Sequence, residues 1–265
     1  MPGIVDLPQV VQAATREFAD RFACEPQRRH FGEYLTGLMI AERKSVSGIN
    51  REFAETTDQS CLNRFLTAAD WDVAALNERR LKWLQESPDT RYSQQGVIAI
   101  DDVLIDHDGQ FIQDVGWFWD HAEQRNKIAH DDLIARDAEP CKVLVTNRIN
   151  WEVSRILGAY RYRWTGTETF HRDGKPGLGL GDCPLRDGQG QTRHRYLVLL
   201  AYSLWVRQLG QDRAQDGALP KRTTIGEACR ALLRETLRTT LAWAIQQVTE
   251  KASSDDHVIT KLGLT

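Results

Sequence analysis

Apolar residues recur three and four apart from Phe31 to about Glu86, and the pattern breaks into short pieces rather than one long run. "FGEYLTGLMIAE" repeats at helical spacing, "SVSGINREFAE" begins with serines able to cap, "TDQSCLNRFLTAAD" begins with Thr57 and Asp58, and "WDVAALNERRLKWLQE" follows. This predicts a module of short helices over residues 1–90. Lys44, Arg51 and Arg64 fall on it, and short helices joined by tight turns are compatible with a helix-turn-helix contact to DNA. The plainer alternative is a bundle whose cations are solvated.

The pattern changes at "ESPDTRYSQQG", a polar stretch with Pro88 and Gly96 that reads as a boundary. "GVIAID" is a β-branched run ending in acids, "DHDGQ" is a turn, and "QFIQDVGWFWDH" alternates, so the three predict a hairpin; "KIAHDDLIA" pairs as a third strand. "KVLVTN" (142–147) reads as a buried strand, and "INWEVSRILGAYRYRW" returns to helical spacing. "TRHRYLVLLAYSLWVRQL" is apolar on most faces, which predicts a buried helix. The last helix opens with Thr224 and Glu227 at capping-box spacing, and its apolar stripe packs on the domain or on a second subunit. The expected class is α+β, mostly helical: the N-terminal module, then an α/β region and C-terminal helices over 97–265.

Composition narrows the class. No apolar run approaches the roughly 20 residues of a membrane helix, and the N-terminus has no basic stretch before an apolar core, so a cytoplasmic protein without a membrane partner is expected. Five scattered cysteines with no CxxC fit reduced thiols. The net charge of −3 hides an asymmetry: residues 1–140 carry 15 Lys and Arg against 25 Asp and Glu, whereas residues 141–265 carry 19 against 12. The basic excess of the second half makes a polyanionic partner plausible there.

The chemistry concentrates in "YRYRWTGTETFHRDGK", residues 160–175, where one glutamate sits in a basic, aromatic run. On a helix Glu168, Arg172 and Lys175 fall at i, i+4 and i+7 on one face. Such a face offers a carboxylate to a divalent metal while its cations hold phosphate oxygens, and Tyr160, Arg161 and Arg163 upstream suit a nucleic-acid strand. The competing reading is a surface ion pair worth a few tenths of a kcal/mol. His121, His130 and Cys141 match no zinc spacing, and "GLGLGD" has neither the spacing nor the preceding strand of a nucleotide loop.

Tyr160, two residues, Arg163, a short gap, Glu168, six residues and Lys175, followed by "GLGLGDCPLRDGQGQTRHRYLVLLAYSLW", resemble the Y-x2-R-x3-E-x6-K signature of bacterial insertion-sequence transposases of the DDE type. "GVIAIDD" resembles the strand end that carries the first carboxylate of that family. The resemblance implies an RNase H-like core in which aspartates from strands and a helical glutamate hold two Mg2+ ions. It implies Asp101 and Glu168 as catalytic and metal-ligating carboxylates, with Asp102 as a further catalytic candidate. Tyr160, Arg161, Arg163, Arg172 and Lys175 become DNA contacts, the partner is the double-stranded DNA of element ends, and a homodimer is expected.

The chain departs from the family pattern at three places. Four residues rather than three separate Arg163 from Glu168. Only "RDAEPC" stands where the family carries a long segment with its second aspartate, which reads as an internal deletion near residues 136–140 and leaves an incomplete core. Asp131, Asp132 and Asp137 are the acids nearby, with solvated turn or edge positions as their ordinary role. Pro176 follows Lys175 directly and is expected to break or kink the helix and displace that lysine. Two functions follow: an insertion-sequence transposase whose catalysis is impaired, or a non-catalytic DNA-binding regulator derived from one. Both predict DNA binding, and they part on metal-dependent strand cleavage and transfer at element ends, which the transposase reading includes; the missing carboxylate predicts that this chain does not cleave.

Overall fold

A computed structural model describes residues 3–55, 58–91, 104–106, 116–120, 123–131, 150–156, 158, 169–183, 185–216 and 224–251. The chain divides into two compact units, Met1–Arg91 with Gly174–Thr265, and Tyr92–Asp173. The first unit holds α1 (Gln9–Glu17), a 3-10 turn (Ala19–Arg21), α2 (Glu25–Ile40), α3 (Val46–Arg51), α4 (Gln59–Thr67) and α5 (Val73–Glu86). After the second unit the chain re-enters the first within α6 (Thr169–Leu178) and ends in α7 (Gly188–Asp216) and α8 (Ile225–Lys251).

Local chemistry sets the helix starts. Ser45 Oγ accepts the Gly48 N–H at the head of α3, Asp58 the Ser60 N–H at α4, and Asp72 the Ala74 N–H at α5. Thr224 and Glu227 exchange side chain and backbone bonds of 3.2 Å each, the reciprocal cap that their spacing predicts.

Packing centres on α2, buried along ten successive residues from His30 to Met39. A helix without a solvent face must be surrounded, and α1, α3, α4, α7 and α8 all pack on it. Gly37 permits the approach of α3, since a Cβ there would lie 2.3 Å from the Ile49 side chain. Phe18, Phe22, Phe31, Phe65 and Trp71 form one aromatic cluster, with Phe22 and Phe31 centroids 4.7 Å apart. Each such buried ring contributes roughly 1.5–3 kcal/mol. The N-terminal helices therefore do not stand by themselves: α7 packs on α2, α4 and α5, and α8 on α2 and α7. No described helix is long and apolar enough to cross a membrane.

The described part of the second unit includes a three-stranded antiparallel sheet of β1 (Leu104–Asp106), β2 (Gly116–Asp120) and β3 (Arg125–Asp131), in the order β1-β3-β2. The pairing expected for "KIAHDDLIA" after the "AEQRN" turn is present as the β2–β3 hairpin; the strand just before "DHDGQ" differs from expectation, since β1 pairs with β3 and not with β2. Asp120 pairs with Arg125 across a four-residue turn that has Gln124 in the left-handed region at φ 51°. Nine residues separate β1 from β2, and the shorter loop closes at lower entropic cost. Lys127 is held at that turn by Asp120 at 2.9 Å and Glu123 at 2.6 Å. "GVIAID" and "KVLVTN" lie outside the described residues.

Candidate nucleic-acid interface

The helix expected over "ETFHRDGK" is present from Thr169 onward as α6, while Glu168 lies outside the described residues. It carries Arg172 and Lys175, both exposed and one turn apart, and Arg172 Nε lies 3.1 Å from the carboxylate of its neighbour Asp173. Pro176 neither ends nor interrupts α6, which continues to Leu178. This corrects the expectation that Pro176 breaks the helix directly after Lys175. Propensity alone supports that expectation: Gly174, Pro176 and Gly177 disfavour these turns by about 1, 3 and 1 kcal/mol relative to alanine.

Burial and a hydrogen-bonded anchor offset the cost. Leu178 is fully buried, Gly179 takes φ +73°, and the Leu180 N–H closes the turn on Gly174 O at 3.0 Å. The stem of Lys44 fills the space beside Gly179, where a Cβ would lie 2.5 Å from that of Lys44. The carbonyl of Gly179 accepts the Asp182 N–H at 3.0 Å and His194 Nε2–H at 2.8 Å. A carbonyl only accepts, so Nε2 carries the imidazole proton and Nδ1 accepts from Tyr34 O–H, also at 2.8 Å. Tyr34 and His194 are both fully buried, and their rings meet edge to face. Burial lowers the His194 pKa to about 4 and raises that of Tyr34 well above its ordinary value, so both are neutral at pH 7.

The remaining cations divide by burial. Arg51 and Arg64 are exposed. Lys44, expected among the DNA contacts of the helical module, turns inward instead, and burial pushes its pKa down to about 8. Arg193 is internal as well: it donates to Leu66 O at 3.0 Å and Ala69 O at 2.8 Å, takes Trp71 O as a third acceptor, and stacks 4.4 Å from the Trp71 ring. It thus caps the carbonyl end of α4. Glu33 is a buried carboxylate between Arg29 Nε at 2.8 Å and His30 Nδ1 at 2.7 Å. The sequence singled out none of Tyr34, His194, Arg193 or Glu33.

Asp101, Asp102, Tyr160, Arg161, Arg163 and Glu168 lie outside the described residues, as do Asp132 and Asp137. Asp102 is separated from β1 by Val103 alone, and Glu168 directly precedes α6. Asp131 closes β3 opposite Leu104, the first residue of β1. Among the described residues no three His, Cys, Asp or Glu gather in a way that could hold a metal ion. Arg172 and Lys175 are each exposed, and an exposed cation of this kind suits contact with phosphate.

No curated protein and no solved structure matches the chain. The family described as DDE superfamily endonuclease does match, over residues 17–132, so the stretch from the last residue of α1 to just past β3 is similar to DDE-type endonucleases and supports a nuclease or transposase type of protein.

Proposed function

We propose that the chain is a transposase-type protein of an insertion sequence that binds the duplex DNA of element ends and does not cut it. The match of residues 17–132 to DDE superfamily endonucleases carries this reading. The exposed Arg172 and Lys175 on α6 support it, together with the basic excess beyond residue 140. Phosphate contacts of this kind fix register on a duplex without reading sequence. Tyr160, Arg161 and Arg163 extend the contact along the strand, and two copies of the chain assemble on paired ends. The region around the sheet is an RNase H-like core shortened near residues 136–140.

Asp101 and Glu168 supply oxygen ligands of the kind Mg2+ takes, with Asp102 beside the first, and a bound ion would activate water or a 3'-hydroxyl for in-line displacement. Two carboxylates leave a two-metal site without its shared bridge, so the chain's own residues bind and orient DNA. The reading is tested with a labelled terminal-repeat duplex. Anisotropy titrations from 50 to 200 mM salt should give a steep loss of affinity, and Arg161→Ala with Arg163→Ala should flatten the log–log slope by up to about 1.8. Intact binding without magnesium-dependent release of a 3'-hydroxyl end agrees with the proposal; an unchanged slope removes these arginines from the interface.

A second reading is favoured by one observation, the register of Asp131 opposite Leu104, which sets a carboxylate-bearing strand end beside the strand that follows Asp101 and Asp102. In that reading Asp131 replaces the missing aspartate and the chain is an active transposase. Strand nicking in magnesium, abolished by Asp131→Asn and by Glu168→Gln, would establish it in place of the first.

A further inference from the structure

We propose that Tyr34 and His194 are positioning residues for α6: through the carbonyl of Gly179 they hold its last turns helical and so present Lys175 to DNA. The geometry of this anchor is independent of the DNA-binding reading, and its consequence for DNA rests on that reading. The residues from Gly174 to Leu178 include two glycines and a proline, so the turns that carry Lys175 need support from outside the helix.

The support is directional. Tyr34 on α2 donates to His194 Nδ1, and His194 on α7 donates from Nε2 to Gly179 O, so one chain of two 2.8 Å bonds ties two core helices to the stop of α6. Both members are fully buried, so no water competes for either bond. Gly179 has no Cβ, which lets the stem of Lys44 close the other side of the same turn. If the phenol oxygen is removed, the imidazole keeps Gly179 but loses the bond that fixes its tautomer and ring orientation. The cavity left is one oxygen atom in size, so the core remains packed.

The anchor is tested by NMR on the intact chain. In the wild type at pH 7, His194 should show a protonated Nε2 and an unprotonated, hydrogen-bonded Nδ1. Tyr34→Phe should lower hydrogen-exchange protection of the Leu180 amide about tenfold, the size expected for one buried bond, with α2 and mid-α7 amides unchanged. The opposite tautomer, or undiminished protection at Leu180, would overturn the anchor. For the DNA role, affinities of Tyr34→Phe, Lys175→Ala and the double variant are compared. If Tyr34 acts through Lys175, the double variant binds as Lys175→Ala does, whereas losses that multiply refute positioning and leave Tyr34 a purely structural residue. Failure of the wild type to bind duplex DNA overturns the DNA role and the proposed function together, while the exchange and tautomer results still decide the anchor.

Discussion

Replacing His194 by glutamine should make the pH dependence of stability cross that of the wild type. The imidazole is fully buried, faces Tyr34 O–H and the Gly179 carbonyl, and has Arg195 near enough to oppose a positive charge. Its pKa falls from the ordinary 6.5 to about 4, with burial the largest cause. A depressed pKa means that the unfolded chain binds the proton more readily. The stability from the neutral ring is therefore present in full above pH 6.5 and lost as pH falls through 4. At about 1.4 kcal/mol per pH unit, the difference amounts to about 3 kcal/mol at the acid end and about 2 kcal/mol by pH 5. Glutamine places an amide N–H near the position of Nε2, keeping the bond to Gly179, and leaves Tyr34 without its acceptor. The variant should accordingly be less stable at pH 7 by about 1–2 kcal/mol. It has no proton to take up, so below about pH 5 it should become the more stable of the two. Urea unfolding at half-unit steps from pH 4 to 7 measures both curves, and their difference cancels the carboxylates titrating in the same window, Glu52 among them. Two parallel curves would refute the assignment of a neutral, doubly bonded His194.

Gly179→Ala combines a left-handed φ of +73° with a Cβ 2.5 Å from that of Lys44, so it should cost about 3 kcal/mol and lower Tm by about 6–12 °C in a thermal scan. Arg193→Lys cannot span the carbonyls of Leu66, Ala69 and Trp71 or stack as flatly on the indole, and a loss of about 3 kcal/mol in denaturant unfolding is expected despite the retained charge. Lys44→Met should raise stability at pH 7 by about 1–2 kcal/mol, because a pKa pushed down to about 8 marks a cation that folding disfavours. The stability gained as the amine deprotonates on going from pH 8 to 9 should vanish in that variant; a lowered denaturation midpoint at pH 7 would count against it.

Caps were legible in the sequence because their chemistry is local. Ser45, Asp58 and the Thr224–Glu227 pair bond within three residues of themselves. The burial of α7 was legible because its apolar residues leave few faces for water. Inward or outward orientation of single cations was not: Lys44 and Arg51 look alike along the chain, and the first becomes internal through distant neighbours such as Gly179. Of the strand order, the β2–β3 pairing followed from the turn between them, whereas the pairing of β1 with β3 joins residues some 25 positions apart and has no local signature. Pro176 misled because propensity counts the cost within a helix and not the anchor that bears it. Of the candidate site, the helix that carries Arg172 could be read, whereas an anchor joining residues 160 positions apart has no local signature.

The discontinuity of the first unit has a consequence for the order in which the protein is made. Tyr34 leaves the ribosome 160 residues before His194, which at translation rates of about 5–20 residues per second means a wait of roughly 8–32 s. During that interval α2 has α1, α3 and α4 beside it, while the sides later covered by α7 and α8 face solvent. The second unit is synthesised in full within the same interval. Completion of the helical core is thus timed by the arrival of its C-terminal helices, since α7 begins only at residue 188 and α8 follows it.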